Sequence, residues 1–381
     1  MKIKLETVCK RIYAGGDVPK SSFSEVKTDQ YNIPIYANAE KNEGLYGYTD
    51  VPRETELSIT VAARGTIGYT VIRREPFLPV VRLITIVPDL SKVSERYLYY
   101  LIKNCKTQSS GTSIPQLTVP DIKKTFLDDI GINEQELIAN KLDKVSRIID
   151  LRKQELQRLD ELIKARFVEM FGDMVLNPNN WDKYHLGELC DVRDGTHDSP
   201  QYYEEGYPLV TSKNVTNGKI DITNCNFISL EDYRKINQRS KVDVGDILMP
   251  MIGTVGNPVI VDIEPNFAIK NVALIKFKRD TKVLNSFVKV LLESDYFDNA
   301  VISKIRGGTQ KFISLGDIRK LDICLPPIEV QRSFEQFIKQ IDKSKFSVMK
   351  GNASFMSAVQ NLTQYCDRVL IRQVGSRTPD T

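Results

Sequence analysis

Histidine is scarce in this chain. Only His185 and His197 occur among its 381 residues, and no His, Cys and Asp side chains cluster at the spacing of metal ligands. The sequence also lacks the phosphate-binding loop that ends in Gly-Lys-Ser/Thr, a Gly-x-Gly-x-x-Gly after a strand, and a Gly-x-Ser-x-Gly nucleophile elbow. These absences argue against an enzyme. We therefore expect no catalytic residue, no metal and no cofactor in this chain.

Long apolar runs are also missing, so no segment reaches the length that spans a bilayer. The first residues lack the pattern of a secretory signal, and the six cysteines include no Cys-x-x-Cys pair. We expect a cytoplasmic protein with reduced thiols and no membrane partner. The length predicts two or three domains. A net charge of +4 permits nucleic-acid binding through a local patch but does not argue for it.

What the sequence does contain is a long heptad pattern in its middle, from about 133 to 171. Apolar residues recur at steps of four and three, interrupted by Arg152 and Arg166, as in a helix that packs against a partner along its length. These seam residues are Ile138, Leu142, Val145, Ile149, Leu156, Leu159, Ile163 and Met170. Asn133 and Glu136 resemble a capping box, and Gly172 ends the helix. At about 1.5 Å per residue the helix is roughly 50 Å long.

The segments around this helix are two copies of one unit. Motifs return in the same order: Leu5-Glu-Thr-Val-Cys9 as Leu186-Gly-Glu-Leu-Cys190, Arg64-Gly-Thr-Ile-Gly68 as Ile252-Gly-Thr-Val-Gly256, and Asp121-Ile122 as Asp317-Ile318. The offset grows from 181 residues between the first pair of cysteines to 196 between the aspartates, as longer loops in the second copy would cause. Short apolar runs between turn residues predict strands in both copies. The chain is therefore a tandem repeat.

The second copy also ends in a heptad pattern, which supplies the partner that the first helix needs. Its seam residues are Val330, Phe334, Phe337, Ile341, Val348 and Phe355. We predict an α+β fold in which two globular mixed α/β domains are separated by a pair of long antiparallel coiled-coil helices, a pseudo-two-fold dumbbell. The alternative is that each helix packs on its own domain. Gly351 falls in the second seam and weakens that helix.

The domain boundaries follow from these patterns. We predict a first domain at 1–130 with its helix at 131–172, and a second domain at 173–327 with its helix at 328–371. Residues 372–381 show no periodicity and are predicted to be disordered.

The motifs as a set resemble one family. They are Asn177-Pro-x-x-Trp181, Asp194-Gly-Thr-His-x-Ser-Pro-x-Tyr202, Val244-Gly-Asp-Ile-Leu248, Gly308-Thr-Gln-Lys311 and Ile323-Cys-Leu-Pro-Pro-Ile-Glu-Val-Gln331. In order and spacing they resemble the DNA specificity subunit (HsdS) of type I restriction-modification systems, with two target-recognition domains. The first copy departs from the pattern, because Leu127–Asn133 replaces the Leu-Pro-Pro joint.

This resemblance implies a non-catalytic subunit in which each recognition domain reads one half of a split site on double-stranded DNA. It further implies that the helices set the spacer and dock two methyltransferase subunits, which restriction/translocase subunits join. S-adenosylmethionine, ATP and Mg are then expected on those partner subunits. Because the two copies differ outside their framework, we expect unlike half-sites.

Contacts to DNA need Arg, Lys, Asn or Gln on loops that can enter a groove or reach phosphates. The candidates in the first domain are Lys41, Arg53, Arg64, Arg73 and Arg74. Those in the second are Arg193, Lys213, Asn214, Lys219, Arg234, Arg239, Gln310 and Lys311. About half of such residues are expected to be ordinary solvated charges. For His197, a turn-stabilising or ligand-contacting role is favoured over that of a general base, since the sequence offers no partner to orient it.

Two other hypotheses remain open at this stage. A bilobed protein scaffold that never touches DNA would expose apolar patches on its loops, whereas a DNA reader would present a polar, basic face. A specificity subunit that works with a methyltransferase and no nuclease has the same sequence features as one that works with both.

Overall fold

The computed structural model describes residues 2–104, 116–216, 218–252, 255–278, 280–301 and 312–371, and for 351–371 only the course of a helix. The chain forms two compact units, Met1–Asp150 and Leu151–Thr381, divided within a long helix. Within the described ranges, no helix combines the length and the apolar composition that crossing a membrane requires. The predictions for Gln310, Lys311, the Phe355 side chain, Gly351 and the tail fall outside what is described.

The first unit is built from short strands joined by turns and short helices. Its strands are β1 (Lys2–Lys4), β2 (Cys9–Ala14), β3 (Ile33–Tyr36), β4 (Leu45–Thr49), β5 (Ser58–Val61), β6 (Thr70–Arg73), β7 (Leu78–Pro79), β8 (Ile84–Pro88) and β9 (Phe126–Asp128). Its helices are α1 (Glu95–Lys103), α2 (Val119–Lys123) and the first part of α3 (Ile132–Phe171). Single 3-10 turns lie at Leu5–Val8 and Lys41–Gly44.

The strands of the first unit form sheets of four, three and two strands. The largest has the order β2-β8-β5-β6 and is antiparallel, with Ile59 of β5 opposite Ile86 of β8. Its two central strands are buried along their whole length, including the polar residues Ser58, Thr60 and Thr85. The second sheet has the order β4-β3-β7 with β3 and β7 parallel, and β1 pairs with β9.

The second unit repeats these elements with additions. Its strands are β10 (Lys183–His185), β11 (Asp191–Asp194), β12 (Tyr207–Val210), β13 (Val215–Thr216), β14 (Lys219–Ile220), β15 (Asn226–Ile228), β16 (Ile247–Pro250), β17 (Val259–Ile260), β18 (Ala268–Ile269), β19 (Val272–Lys276) and β20 (Asp322–Cys324). Its helices are the rest of α3, α4 (Leu186–Leu189), α5 (Leu230–Ser240), α6 (Asn285–Leu292), α7 (Asp295–Ala300), α8 (Leu315–Arg319) and α9 (Ile328–Ile371).

The two units share one topology. The sheets β11-β19-β16-β17, β15-β12-β18 and β10-β20 match those of the first unit strand for strand, including the parallel pair β12–β18. α5 occupies the place of the short segment 50–57, which explains part of the growing offset between the copies. The predicted tandem repeat and the predicted α+β fold class are thereby confirmed.

Equivalent helices begin with the same capping chemistry in the two units. The Thr118 hydroxyl accepts from the Asp121 N–H while the Asp121 carboxylate accepts from the Thr118 N–H, and Ser314 and Asp317 do the same at α8. Each box pairs backbone N–H groups that the helix itself cannot bond. These two residues per copy therefore set where α2 and α8 start.

Each unit has its own apolar core. That of the first includes Ile59, Ile84, Leu98 and Ile122, and that of the second includes a group of phenylalanines among aliphatic residues. Among these, Phe167 and Phe171 come from the end of α3, so this end of the helix packs into the core of the second unit, whereas the alternative prediction places it on the domain that precedes it. Burial raises the pKa of the free thiol Cys190 in this core to about 12, which leaves it protonated and unreactive.

The second unit contains the antiparallel contact of α3 with α9. As residue numbers rise along α3, those of their partners on α9 fall. The pairs that show this are Arg152–Val348, Asp160–Lys345 and Phe167–Phe334. Every predicted seam residue whose side chain is described is buried or partly buried. Leu151 and Leu162, which the heptad pattern places outside the seam, are 54% and 45% exposed.

Candidate nucleic-acid interface

In both units the first strand of the four-stranded sheet ends at a glycine that the fold requires. Gly15 follows β2, and a Cβ there would lie 2.6 Å from the Pro79 carbonyl carbon. Gly195 follows β11, and a Cβ there would lie 2.1 Å from the Ile269 carbonyl oxygen. Neither position has room for a side chain. The loops that leave the two sheets at this point therefore start from the same backbone frame.

In the second unit this loop belongs to a polar group that we call the Asp194 network (Asp194, His197, Arg239 and Asn271). The Asp194 side chain is only 7% exposed, and its oxygens face His197 Nε2 at 2.8 Å and the Arg239 guanidinium. His197 Nδ1 lies 2.7 Å from Asn271 Oδ1. Hydrogen bonds with Asn271 and Asp194 raise the pKa of His197, because both acceptors favour the protonated ring.

Further cationic groups adjoin this network. Lys270 Nζ donates to Ser199 Oγ at 2.6 Å, and Arg193 donates to Asp191 and to the Arg239 carbonyl oxygen, each at 2.8 Å. The side chains of Arg239 and His197 are 69% and 60% exposed. The network therefore offers hydrogen-bond donors to solvent above a buried carboxylate that holds them in place. Such a surface suits contacts to phosphates and base edges.

The first unit has a different group at the corresponding position, the Glu54 network (Arg11, Tyr13, Arg53 and Glu54). Glu54 is fully buried and accepts from Arg11 Nη2 at 2.6 Å and from the Tyr13 hydroxyl at 3.0 Å. The Arg53 guanidinium lies 4.6 Å from the centre of the Tyr13 ring. Burial would raise the pKa of Glu54, but the hydrogen bonds, that of Arg11 foremost, lower it below its usual value.

The Tyr13 hydroxyl acts as a hydrogen-bond donor in this network. Burial, with the charge of Glu54 next, raises the pKa of Tyr13 to about 12, so the hydroxyl keeps its proton. Ala14 stands where the second unit has Asp194, one residue before the required glycine in each case. The shared frame therefore carries unlike polar groups in the two units.

The structure removes Arg73 from the predicted contacts of the first unit. It is 5% exposed, pairs with Glu43 and lies over the Tyr36 ring, so its guanidinium is occupied within the unit. Arg64 donates to Gln116 at 2.7 Å, and Arg74 pairs with Glu95, but both remain exposed. Lys41 and Arg53 are exposed as well.

Asn214 is the corresponding correction in the second unit. Its amide is 6% exposed and its carbonyl oxygen accepts from the N–H and the hydroxyl of Thr211 at 3.0 and 2.8 Å. Its NH2 donates to the carbonyl oxygens of Asp221 and Asn224. All its hydrogen-bonding capacity is used within the loop, so it shapes that loop. The candidates that remain exposed here are Lys213, Lys219, Arg234 and Arg239, while Arg193 is half-buried.

Several participants were not identified from the sequence. Glu54 and Tyr13 carry no motif. The role of Lys270 and Asn271 depends on contacts with Ser199 and His197, which lie 71 and 74 residues away along the chain. The residue type of Asn271 is one local signal in the sequence. Its φ is positive, at 55°, and asparagine tolerates such a value better than most residues. His197 does have an orienting partner, because its Nε2 lies 2.8 Å from the Asp194 carboxylate.

The motif Val244-Gly-Asp-Ile-Leu248 is framework. Lys276 Nζ lies 2.5 Å from Asp246 and 2.8 Å from Asp243, and Gly245 has a φ of +91° in the turn that brings them together. Burial raises the pKa of Asp246, while the hydrogen bond from Lys276 opposes that rise. The Gly-Thr turn at 65–66 is exposed, whereas those at 111–112, 253–254 and 308–309 lie outside the described residues.

Two units of one topology, each with a long helix and a polar loop network, define a duplicated two-domain protein. The sequence model of the type I restriction modification DNA specificity domain matches residues 1–161 and again residues 178–353. The chain belongs to this family.

Comparison with individual proteins agrees with this assignment. The chain is 22% identical to the type I restriction enzyme EcoBI specificity subunit of Escherichia coli over 365 residues, 87% of this chain and 75% of that one. It is 25% identical to the MjaIX specificity subunit of Methanocaldococcus jannaschii over 367 residues, 86% and 81% of the two chains. A putative type I specificity subunit of Mycoplasma pneumoniae is 33% identical over 169 residues, 42% of this chain and about half (46%) of that relative.

The fold is similar to one that has been solved. A crystal structure of the S subunit of a type I restriction-modification system from M. genitalium superposes with a TM-score of 0.54. The match covers 100% of this chain and 96% of that one at 16% sequence identity. At this identity the similarity concerns the fold alone.

Proposed function

We propose that this chain is the DNA-reading subunit of a type I restriction-modification complex, in which each unit reads one half of a bipartite, asymmetric site. The observation that carries the proposal is the shared frame at Gly15 and Gly195, which presents the Glu54 network in one unit and the Asp194 network in the other. A common framework with unlike polar groups is what two readers of unlike half-sites require.

The long helices set the spacing between the half-sites and dock the methyltransferase subunits. The antiparallel contacts of α3 with α9 in the second unit support a rigid spacer, because knobs packed along a seam resist sliding. The exposed Leu151 and Leu162 lie three turns apart on one face of α3, beside that seam, and support docking of an apolar partner surface.

The subunit itself is non-catalytic in this proposal. Methylation is carried out by two methyltransferase subunits, and cleavage by restriction/translocase subunits that join them. S-adenosylmethionine, ATP and Mg bind to those partners. The exposed cations around the Asp194 network favour a reader over the protein scaffold, since a scaffold would place apolar side chains on such loops.

Mapping of genomic methylation tests the function directly. The chain is co-expressed with its cognate methyltransferase subunit in a host without other adenine methylation, and methylated positions are read by sequencing. A split motif with a fixed spacer is expected. Methylation that ignores sequence, or that occurs equally without this chain, would favour the scaffold.

Domain exchange tests the division of labour. Replacing residues 1–130 with the corresponding segment of a relative that reads a different site should change one half of the methylated motif. The other half and the spacer should stay as they were. A change in both halves would contradict independent reading by the two units.

A further inference from the structure

A glutamine is buried at the start of each long helix. Gln135, in the first turn of α3, is 2% exposed. Its Nε2 donates to the carbonyl oxygens of Ile130 and Lys92 at 2.9 and 3.3 Å. Its Oε1 accepts from the Ser94 N–H at 2.8 Å, and Ser94 is the N-cap of α1.

Gln331 makes the same three hydrogen bonds at the start of α9. It is 0% exposed, and its Nε2 donates to the carbonyl oxygens of Pro326 and Lys282 at 2.8 and 3.0 Å. Its Oε1 accepts from the N–H of Leu284 at 2.8 Å, and Leu284 is the N-cap of α6. The two glutamines are 196 residues apart, the offset that also separates the capping residues Thr118 and Ser314.

The chemistry of the site admits few other side chains. All three partners are backbone groups, so their roles as donor or acceptor cannot be exchanged. Only a primary amide offers two donors and one acceptor of this reach. A glutamate would place an oxygen against two carbonyl oxygens, and an apolar side chain would leave three backbone groups without this partner. One hydrogen bond in each unit is fully buried, and an unpaired group there costs roughly 1–3 kcal/mol.

Each glutamine joins three elements of its unit. It ties the first turn of the long helix to the residue two positions before the helix and to the N-cap of the short helix in the core of the unit. Apolar packing is non-directional, whereas three hydrogen bonds to fixed backbone groups define the angle between the long helix and the short helix. The amide therefore fixes the direction in which the long helix leaves its own domain.

We propose that Gln135 and Gln331 are positioning residues that lock each recognition domain to its spacer helix, and so restrict the complex to a single spacer length. The inference rests on the proposed function, because a spacer exists only if the two units read two half-sites. It goes beyond that function in assigning the selectivity for spacer length to a pair of side chains that touch neither DNA nor a partner subunit.

The junction between the short helix and the long helix is built from different side chains in the two units, apart from the buried glutamine. In the first, Arg96 of α1 pairs with Glu136 and Asp143 of α3, and the Tyr100 hydroxyl donates to Asp143 at 2.7 Å. In the second, the Phe167 ring of α3 contacts both Phe287 of α6 and Phe334 of α9, with ring centres 5.4 and 5.6 Å apart. One joint is polar and the other aromatic. The glutamine is the element that both retain.

The experiment compares Gln135→Glu, Gln331→Glu and Gln331→Met in the full chain, co-expressed with the methyltransferase subunit. Each keeps the side-chain length and removes the bonded amide. Gln154→Glu on α3 and Gln336→Glu on α9 are matched controls, because both glutamines are exposed on the same helices. The readout is the distribution of spacer lengths among methylated sites, with the sequences of the half-sites as an internal reference.

We expect the wild type and both controls to methylate sites of one spacer length. The variants at 135 and 331 should also methylate sites whose spacer is longer or shorter by about one base pair, at a frequency on the order of tenfold above wild type, since a lost set of buried bonds changes equilibria by at least that factor. The half-sites should not change.

Other outcomes overturn the inference. A uniform loss of methylation at the parent spacer, without relaxation, would show that the glutamines only stabilise the fold. Failure of both Gln331→Glu and Gln331→Met to accumulate with the methyltransferase would lead to the same conclusion. A wild-type complex without any split motif would instead overturn the proposed function, and this inference with it.

Discussion

The guanidinium carbon of Arg73 lies 3.6 Å from the centre of the Tyr36 ring, and both side chains are buried. Arg73 also donates to the Thr60 hydroxyl at 3.3 Å and pairs with Glu43. We predict that Arg73→Met lowers the stability of the first unit by about 2 kcal/mol, from lost cation–π and hydrogen-bond contacts. Hydrogen exchange of the β5 and β6 amides in the intact chain measures this.

Arg74 provides the control for that prediction. Its side chain is 60% exposed and its pair with Glu95 is a surface pair, so Arg74→Met should leave the same amides protected. If Arg73→Met instead left exchange unchanged and weakened DNA binding, the assignment of Arg73 to the framework would be wrong.

His197 should titrate above the ordinary value of imidazole. Its pKa is raised by Asn271 and Asp194, so the stability that the charged ring contributes is present below the unfolded pKa of about 6.5. That contribution is lost as the pH rises through the higher folded value. NMR titration is simple here because the chain has only two histidines, and His185→Gln assigns the signals. Asp194→Asn should lower the midpoint; an unchanged midpoint would exclude this carboxylate as a cause.

The exposed cations of the second unit should control the salt dependence of DNA binding. Lys213, Lys219 and Arg234 are exposed in the described structure and are candidates for phosphate contacts. Each alanine variant that removes such a contact should reduce the slope of log affinity against log salt by about 0.9 in the assembled complex. Lys153→Ala, an exposed charge on α3, is the control. A slope unchanged by all three variants would remove this face from the interface.

The exposed face of α3 should be needed for docking of the methyltransferase subunit. Leu162→Lys places a charge on a side chain that is 45% exposed, so the fold should tolerate it while an apolar partner surface should not. We expect at least about tenfold weaker association in a titration of the purified subunits. Glu161→Gln, one residue away and exposed, changes the net charge by the same amount and is the control for charge alone. Equal binding by both variants would place the docking surface elsewhere.

The sequence predicted the architecture well because its signals repeat. The apolar residues in the seam of α3 with α9 recur with a heptad period in the sequence. Asp121 and Asp317 mark the same capping box in the two copies. Residues of the interface were harder to place. Whether Arg73 is buried depends on Glu43, which lies 30 residues away. The Asn214 amide is bonded within its own loop, where it donates to the Asn224 carbonyl oxygen. Such pairings are set by loop conformation, which no periodicity encodes.

The seam of α3 with α9 makes the spacer sensitive to the phase of an insertion and not only to its length. Four residues inserted after Gln154 advance the helix by about 400° and 6 Å, so the following residues return to within about 40° of the seam. The complex should still assemble, and the methylated spacer should change by about two base pairs at 3.4 Å each, with both half-sites unchanged. Two inserted residues rotate the same face by about 200° and turn Ile163 and Phe167 away from α9, so assembly should fail. Methylation mapping of both variants distinguishes these results. An unchanged spacer after the four-residue insertion would show that the helix pair does not set the distance.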